Sequence, residues 1–389
     1  MEGSLGGLLI VCAVAVSAPL VIELPFPLRL PIVVVEIVLG ILVGPQMLGW
    51  VEPDPVLSFF AMLGLAFLFF IAGLEIDFGR IRGRPLMLAV AGWLLSLVLA
   101  LGTAFTLAAV GALGSPLIVA AALTTTAIGT LLPILRDAGE LETRFGALML
   151  AAGAVGEFGP ILLAAFLFTM DESGWSQALV LIGFGAAAVA AAIVALRVHP
   201  PRIVMALARG MCSSSQLPVR MSIALLVGLA FLAEHLGLDL ILGAFAAGMI
   251  VSLTVHGTAR NELTHKLDGI GFGFFIPIFF IVSGMRFDLA ALAGTMGSLA
   301  LLPLFLLLFV LVRGLPALLY RRELAVRDLL PFALLSATAL PLVVAITTIA
   351  ANTGRLDPAE AAAMVGAGIV SVLTFPVAAL ALRRGARVE

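Results

Sequence analysis

Apolar residues run along this chain in blocks about as long as a bilayer is thick, separated by brief polar punctuation. A helix needs roughly 20 such residues to cross the hydrocarbon layer. The pattern recurs thirteen times in the 389 residues, at 7–24, 31–49, 55–74, 85–111, 116–136, 144–168, 175–196, 218–235, 239–256, 267–285, 292–318, 328–352 and 358–382. An all-α polytopic membrane protein is the expectation. Composition agrees, with 62% hydrophobic and 11% charged residues against about 25% charged in soluble domains. Disorder, a secreted disulfide scaffold and a nucleic-acid binder are excluded together. Cys12 and Cys212 are isolated and read as inert small residues. The first span lacks a positive leading region and a small-residue cleavage site, so it reads as a retained helix rather than a signal peptide. The longest connection, 197–217, carries Arg202, Arg209 and Met205-Ala-Leu207, which suggests a short surface helix.

Basic residues sort onto alternate connections. With the N-terminus outside, 18 of the 21 Lys and Arg fall on the cytoplasmic side, among them Arg80, Arg82, Arg84, Arg136, Arg144, Arg321, Arg322, Arg327 and Arg383. Only Arg286 and Arg355 lie outside, and Arg313 interrupts an apolar run. That is the positive-inside rule, and it favours an odd number of spans.

The two halves echo each other in order. Glu36-Ile-Val-Leu-Gly40 matches Asp239-Leu-Ile-Leu-Gly243, and Phe69 to Asp77 matches Phe279 to Asp288. Leu123-Thr-Thr-Thr-Ala127 matches Leu335-Ser-Ala-Thr-Ala339, and Gly153 to Pro160 matches Gly368 to Pro376. The copies cover spans 2–6 and 9–13, a displacement of seven, so they are expected in opposite orientations. That is the inverted repeat of secondary transporters.

Polar residues enter the membrane at matching places. Span 5 carries Thr124, Thr125, Thr126, Gly129, Thr130 and then Pro133; span 12 carries Ser336, Thr338, Pro341, Thr347 and Thr348. β-Branched residues and Pro oppose a continuous helix. Breaks at this depth survive only when buried in protein or facing a polar cavity. Two breaks would bring carbonyls and half-helix ends to the midplane, where a cation needs oxygen ligands. The bland reading is that the Thr hydroxyls bond back to their own helix and Pro merely kinks it. Glu157 stands near the centre of span 6, in Gly153-Ala-Val-Gly-Glu-Phe-Gly-Pro160. A bare carboxylate there costs about 3 kcal/mol on insertion scales. It must be protonated, paired or ion-bound, and each state excludes the others. A permanent ion pair is the structural alternative. Arg313, in Leu311-Val-Arg-Gly-Leu-Pro316, either snorkels to the cytoplasmic surface or meets Glu157 or the carbonyl end of a broken helix. Glu36 and Asp239 read as lining an access funnel or facing headgroups. His199, His235, His256 and His265 are too scattered for a metal site. Phosphate-loop, dinucleotide, serine-triad and zinc-hydrolase patterns are absent, so no enzyme activity is expected, and the energy for transport would come from an ion gradient.

These residues resemble the cation:proton antiporter-2 family of monovalent cation/proton antiporters, which includes bacterial sodium/proton exchangers and the membrane part of Kef-type potassium/proton systems. The resemblance covers almost the whole chain. It rests on Glu36 to Pro45, Gly73-Leu-Glu-Ile-Asp77, Thr124 to Thr130 and Phe279 to Leu289. It implies a homodimer in the cytoplasmic membrane of a bacterium, with the C-terminus inside. A panel or dimer domain would comprise 1–84 and 197–290, and a core transport domain 85–196, including a linking span 7, and 291–389. Spans 5 and 12 would be unwound and crossed, and the core would move elevator fashion. Glu157 would be the proton and cation carrier and Arg313 its charge partner.

Two departures from the family pattern matter. Gly156 stands where electrogenic members have a second acid, which points to electroneutral exchange of one proton for one cation. The chain ends at Glu389 soon after Arg383, Arg384 and Arg387, so no nucleotide-binding domain and no regulation by NAD or glutathione is expected. The expected cycle has Glu157, Thr125, Thr126 and backbone carbonyls binding Na+ or K+ in competition with H+, supported by Thr124, Thr130, Ser336 and Thr338. No cofactor, other metal or nucleic-acid partner is expected beyond those transported ions and the lipid bilayer. The rival reading is a sodium-coupled symporter of an organic anion, which would need further polar groups in the core.

Overall fold

The computed structural model describes residues 2–23, 31–75, 83–141, 143–169, 183, 216–236, 240–255, 258–293 and 296–388. Helices form at α1 (Glu2–Glu23), α2 (Ile32–Val43), α3 (Pro55–Glu75), α4 (Arg84–Ala109), α5 (Pro116–Leu123), α6 (Ile128–Asp137) and α7 (Arg144–Thr169). They continue with α8 (Leu217–His235), α9 (Leu240–Thr254), α10 (Thr258–Ile270), α11 (Ile276–Met285), α12 (Leu289–Ala293) and α13 (Met296–Phe309). The last are α14 (Val326–Ser336), α15 (Pro341–Asn352) and α16 (Pro358–Val388). A π turn at Gly271–Phe275 joins α10 to α11; a second π turn at Val310–Gly314 and a 3-10 segment at Leu315–Tyr320 extend α13. Among the described residues no strand occurs, and nine helical stretches are long and apolar enough to cross a membrane. The expected span at 175–196, the surface helix near 202–209, Asp239, Cys212, His199 and His256 lie outside the described residues.

Several ends differ from expectation for local reasons. The second span stops at Val43 rather than 49, because Gly44 and Pro45 turn the chain and Gly49 takes φ 62°. The tenth begins at Thr258 rather than 267. Residues 258–270 are too polar to read as a span, yet Arg260 anchors them by donating to the Leu74 carbonyl and to Ser252 Oγ, both at 2.9 Å. The last helix continues past 382 to Val388. Glu36 is 3% exposed, which removes the reading that it faces headgroups.

The chain divides into two compact units. The first holds Met1–Ser17, Val51–Asp77 and Ala165–Val282. Here α3 and α9 approach backbone to backbone through Gly73 and Gly248. A Cβ on Gly248 would collide with the Phe70 carbonyl, and one on Gly73 with the Phe245 carbonyl. Small residues at such contacts are how membrane helices gain packing without a hydrophobic drive. Phe67 and Phe275 stack beside them at 4.9 Å. Gly248→Val is therefore expected to cost more than about 3 kcal/mol, the upper range for overpacking, because backbone rather than a flexible side chain is in the way. A wild-type melting temperature for that variant in detergent would remove this packing account.

The second unit holds Ala18–Trp50, Phe78–Ala164 and Ser283–Glu389. Its apolar centre gathers Leu131, Leu135, Phe145, Met149, Tyr320 and Phe332 from α6, α7, the 3-10 segment and α14. At one end Arg383 of α16 is 8% exposed and pairs with Glu140 at 2.9 Å and Asp328 at 2.7 Å, its guanidinium 3.7 Å from the Phe145 ring centroid. Large apolar side chains elsewhere point outward, such as Val98 at 66% exposed on α4 and Met296 at 84% on α13. In a polytopic chain these are lipid-facing.

Candidate functional site

Two helices of the second unit are interrupted, and their interruptions meet. The first break, Thr124–Ala127, separates α5 from α6; the second, Ala337–Leu340, separates α14 from α15. The first opens at the Thr run and not at Pro133, which lies inside α6. Thr124 and Thr125 each turn their hydroxyl onto a carbonyl three residues back, Ala121 and Ala122, at 2.8 Å. This is the competition with the helical ladder that Ser and Thr offer. Both hydroxyl protons are thereby spent on their own helix. Thr347 likewise bonds to its own helix, at the Val343 carbonyl.

The backbone groups freed by the breaks are satisfied across the site. Thr126 N–H donates to the Gly156 carbonyl at 2.9 Å, and Ala127 N–H donates to the Thr338 carbonyl at 2.8 Å. Ala339 N–H donates to Ser371 Oγ at 3.1 Å, and Ser371 returns a bond to the Gly368 carbonyl at 2.7 Å. The two interruptions thus bond directly to each other, while α7 and α16 each steady one of them. This is how unwound backbone becomes tolerable at membrane depth.

Arg313 joins the same network. It sits on the π turn, 4% exposed, so it does not snorkel. Its Nε and Nη2 donate to Thr126 Oγ1 at 2.9 and 2.7 Å, and its Nη1 donates to Ser96 Oγ at 3.1 Å. A longer contact reaches the Ala152 carbonyl at 3.4 Å. Thr126 in turn donates its hydroxyl to the Ser336 carbonyl at 2.6 Å, at the C-terminal end of α14. The cation thereby lies near a helix end that carries negative partial charge. Gly156 leaves the space that the guanidinium fills: a Cβ there would collide with Nη2 of Arg313 and lie 2.9 Å from Thr126 Oγ1.

Glu157 follows directly on Gly156 in α7 and is half-buried. The backbone bond from Thr126 to Gly156 therefore ties the Thr run to the residue beside this acid. Among the described residues no ion pair joins Glu157 to Arg313. Ser336 and Thr338 are buried at 3% and 0% exposed, with the Thr338 hydroxyl spent on the Leu334 carbonyl. Thr130 lies on α6 and is half-buried. Sequence reasoning missed two supports. Ser96 is the only hydroxyl residue in the apolar stretch 85–102, and Ser371 the only one in the apolar stretch 361–373. Both signals are single small polar residues in long apolar runs, easily passed over.

Two crossed helix breaks with a half-buried acid on the adjoining helix and a buried guanidinium between them resemble the discontinuous-helix sites of secondary transporters. The chain belongs to the family described as sodium/hydrogen exchanger, transmembrane, whose model matches residues 12–380. It is 29% identical over 394 residues to YjbQ of Bacillus subtilis (strain 168), covering 96% of this chain and 62% of that protein. It is 26% identical over 293 residues to the Na+/H+-K+ antiporter GerN of Bacillus cereus, covering 71% of this chain and 70% of that protein. The fold is similar to that of the sodium proton antiporter MjNhaP1 from Methanocaldococcus jannaschii, with a TM-score of 0.56 and 15% identity over 96% of this chain and 98% of that one.

Proposed function

We propose that this chain exchanges protons for Na+ or K+ across the cytoplasmic membrane of a bacterium, in the service of pH homeostasis. The observation that carries the reading is the bond between the first helix break and Gly156, which sets Glu157 beside the crossing. Glu157 carries either a proton or a cation. Thr125 supplies a further ligand oxygen: its hydroxyl proton is engaged with Ala122, while its lone pairs remain available. Thr126 has a different task in this conformation. Its oxygen accepts two N–H groups from Arg313, which occupies both lone pairs. It positions the crossing, and backbone carbonyls complete the cation shell in its place. Thr124, Ser336 and Thr338 hold the breaks in shape, and Thr130 sits on the helix that follows.

The rest of the cycle belongs to the same proposal. The crossed breaks support an inverted repeat of spans 2–6 and 9–13. The core of 85–196 and 291–389 moves as an elevator against a panel of 1–84 and 197–290, in a homodimer with the N-terminus outside. Arg313 keeps its charge in the core, so the proton-loaded and cation-loaded forms carry equal charge. One proton then exchanges for one cation without net charge movement. The names of the relatives, including the Na+/H+-K+ antiporter GerN, favour monovalent cation exchange over an organic-anion symporter.

The test is exchange in proteoliposomes with an internal pH-sensitive dye, given equal pulses of Na+, K+, Li+ and choline. Proton efflux driven by Na+ or K+ but not choline is expected. Its rate and end point should not change when membrane voltage is imposed. A clear voltage dependence would overturn the one-for-one stoichiometry, and silence with every cation would overturn the antiporter.

A further inference from the structure

Three charged side chains outside the crossing form an arrangement that transport does not use. Arg84 is the first residue of α4 and Arg144 the first of α7. Glu323, in the turn before α14, lies between them with its side chain 4% exposed, one oxygen on Nε of Arg84 and the other on Nη2 of Arg144. The carboxylate is buried and the two cations are not: their side chains are 63% and 69% exposed. Together with Pro85, Ala147 and Leu148 these residues line a cavity of about 330 Å³.

We infer that this cavity binds a phosphate-bearing anion. One carboxylate holds two guanidinium groups side by side and leaves the trio with a net positive charge. Each guanidinium has five N–H donors, and Glu323 uses one nitrogen of each. The remaining donors belong to side chains that stay 63% and 69% exposed, and charge-assisted pairing with phosphate is what arginine does well. Both arginines stand at helix N-termini, where the backbone dipole also favours an anion. The apolar part of the lining suits a glycerol or acyl group rather than a second charge. Placing this end at the cytoplasmic surface rests on the orientation proposed above. There the anionic leaflet supplies phosphodiesters in high local concentration, and basic pockets between spanning helices take lipid headgroups. An inorganic phosphate would answer to the same chemistry.

The full chain, purified in an uncharged detergent, is titrated with short-chain phosphatidylglycerol, short-chain phosphatidylcholine and inorganic phosphate while thermal unfolding is followed. Phosphatidylglycerol should raise the midpoint well beyond phosphatidylcholine. Its apparent affinity should fall at least about tenfold in an Arg84→Gln/Arg144→Gln variant, the loss of one charge-assisted bond. A response confined to phosphatidylglycerol identifies a lipid headgroup site; one reproduced and competed by inorganic phosphate identifies a free-phosphate site. Equal response to phosphatidylglycerol and phosphatidylcholine, or a response unchanged in the variant, overturns the inference. Native mass spectrometry of the wild type keeps the test decisive if that variant does not fold. Preferential retention of phosphatidylglycerol supports the site, and equal retention of the two lipids refutes it.

Discussion

Exchange should fall to the level of protein-free vesicles when Glu157 is replaced by Gln. The amide has nearly the same size and shape as the acid. It has no proton to release at any working pH and no charge to offer a desolvated cation. Since proton and cation are proposed to compete for this one group, its loss removes both half-cycles at once. Glu157→Asp keeps the charge and shortens the reach by one methylene, so it should retain some exchange with altered cation affinity. The measurement is dye-reported proton flux driven by Na+ and K+, with thermal unfolding as a control for folding. Cation-driven flux above background in well-folded Glu157→Gln would remove Glu157 from the centre of the mechanism.

Arg313 should show the second largest effect, expressed as stability as much as transport. Its Nε, Nη1 and Nη2 bond to hydroxyls on two separate elements, Thr126 and Ser96. Hydrogen bonds to a charged group contribute about 1.5–3 kcal/mol each in soluble proteins and less in membranes, so Arg313→Ala should cost about 2–4 kcal/mol. Arg313→Lys keeps the charge but cannot reproduce a three-nitrogen fork, and should recover only part of the loss. Thr126→Val removes the shared acceptor together with the donor to the Ser336 carbonyl. The two replacements should therefore be strongly non-additive. Unfolding energies of Arg313→Ala and Thr126→Val that add within about 0.5 kcal/mol would show no coupling and sink the clamp. A clamp of this kind also explains Gly156: a side chain there and the observed place of the guanidinium are mutually exclusive.

Much of this was legible along the chain. Apolar blocks of bilayer length announce spanning helices because each helix satisfies its own backbone bonds, so the signal is local. Thr124 to Thr126 and Ser336 to Thr338 marked both interruptions for the same reason: β-branched and hydroxyl residues act on the turn they occupy. Glu157 stood out because a carboxyl in an apolar run is costly wherever the chain goes. Where sequence reading failed, polarity or end effects hid the helix. Residues 258–270 look like a loop until Arg260 is seen bonded to Leu74, 186 residues away in sequence.

The partners in the site could be named from no stretch of sequence. Arg313 reaches Thr126 across 187 residues, and Thr126 reaches the Ser336 carbonyl across 210. The sequence leaves Arg313 free to snorkel, to meet Glu157 or to meet the carbonyl end of a broken helix. Helix packing decided among these by burying the guanidinium over Gly156, where hydroxyl and carbonyl oxygens are within reach. Most apolar spans and both breaks follow from local backbone and side-chain chemistry, which the order of residues carries; the polar helix 258–270 does not. The assignment of each polar group to its partner follows from which helices pack together, and that is a property of the folded chain.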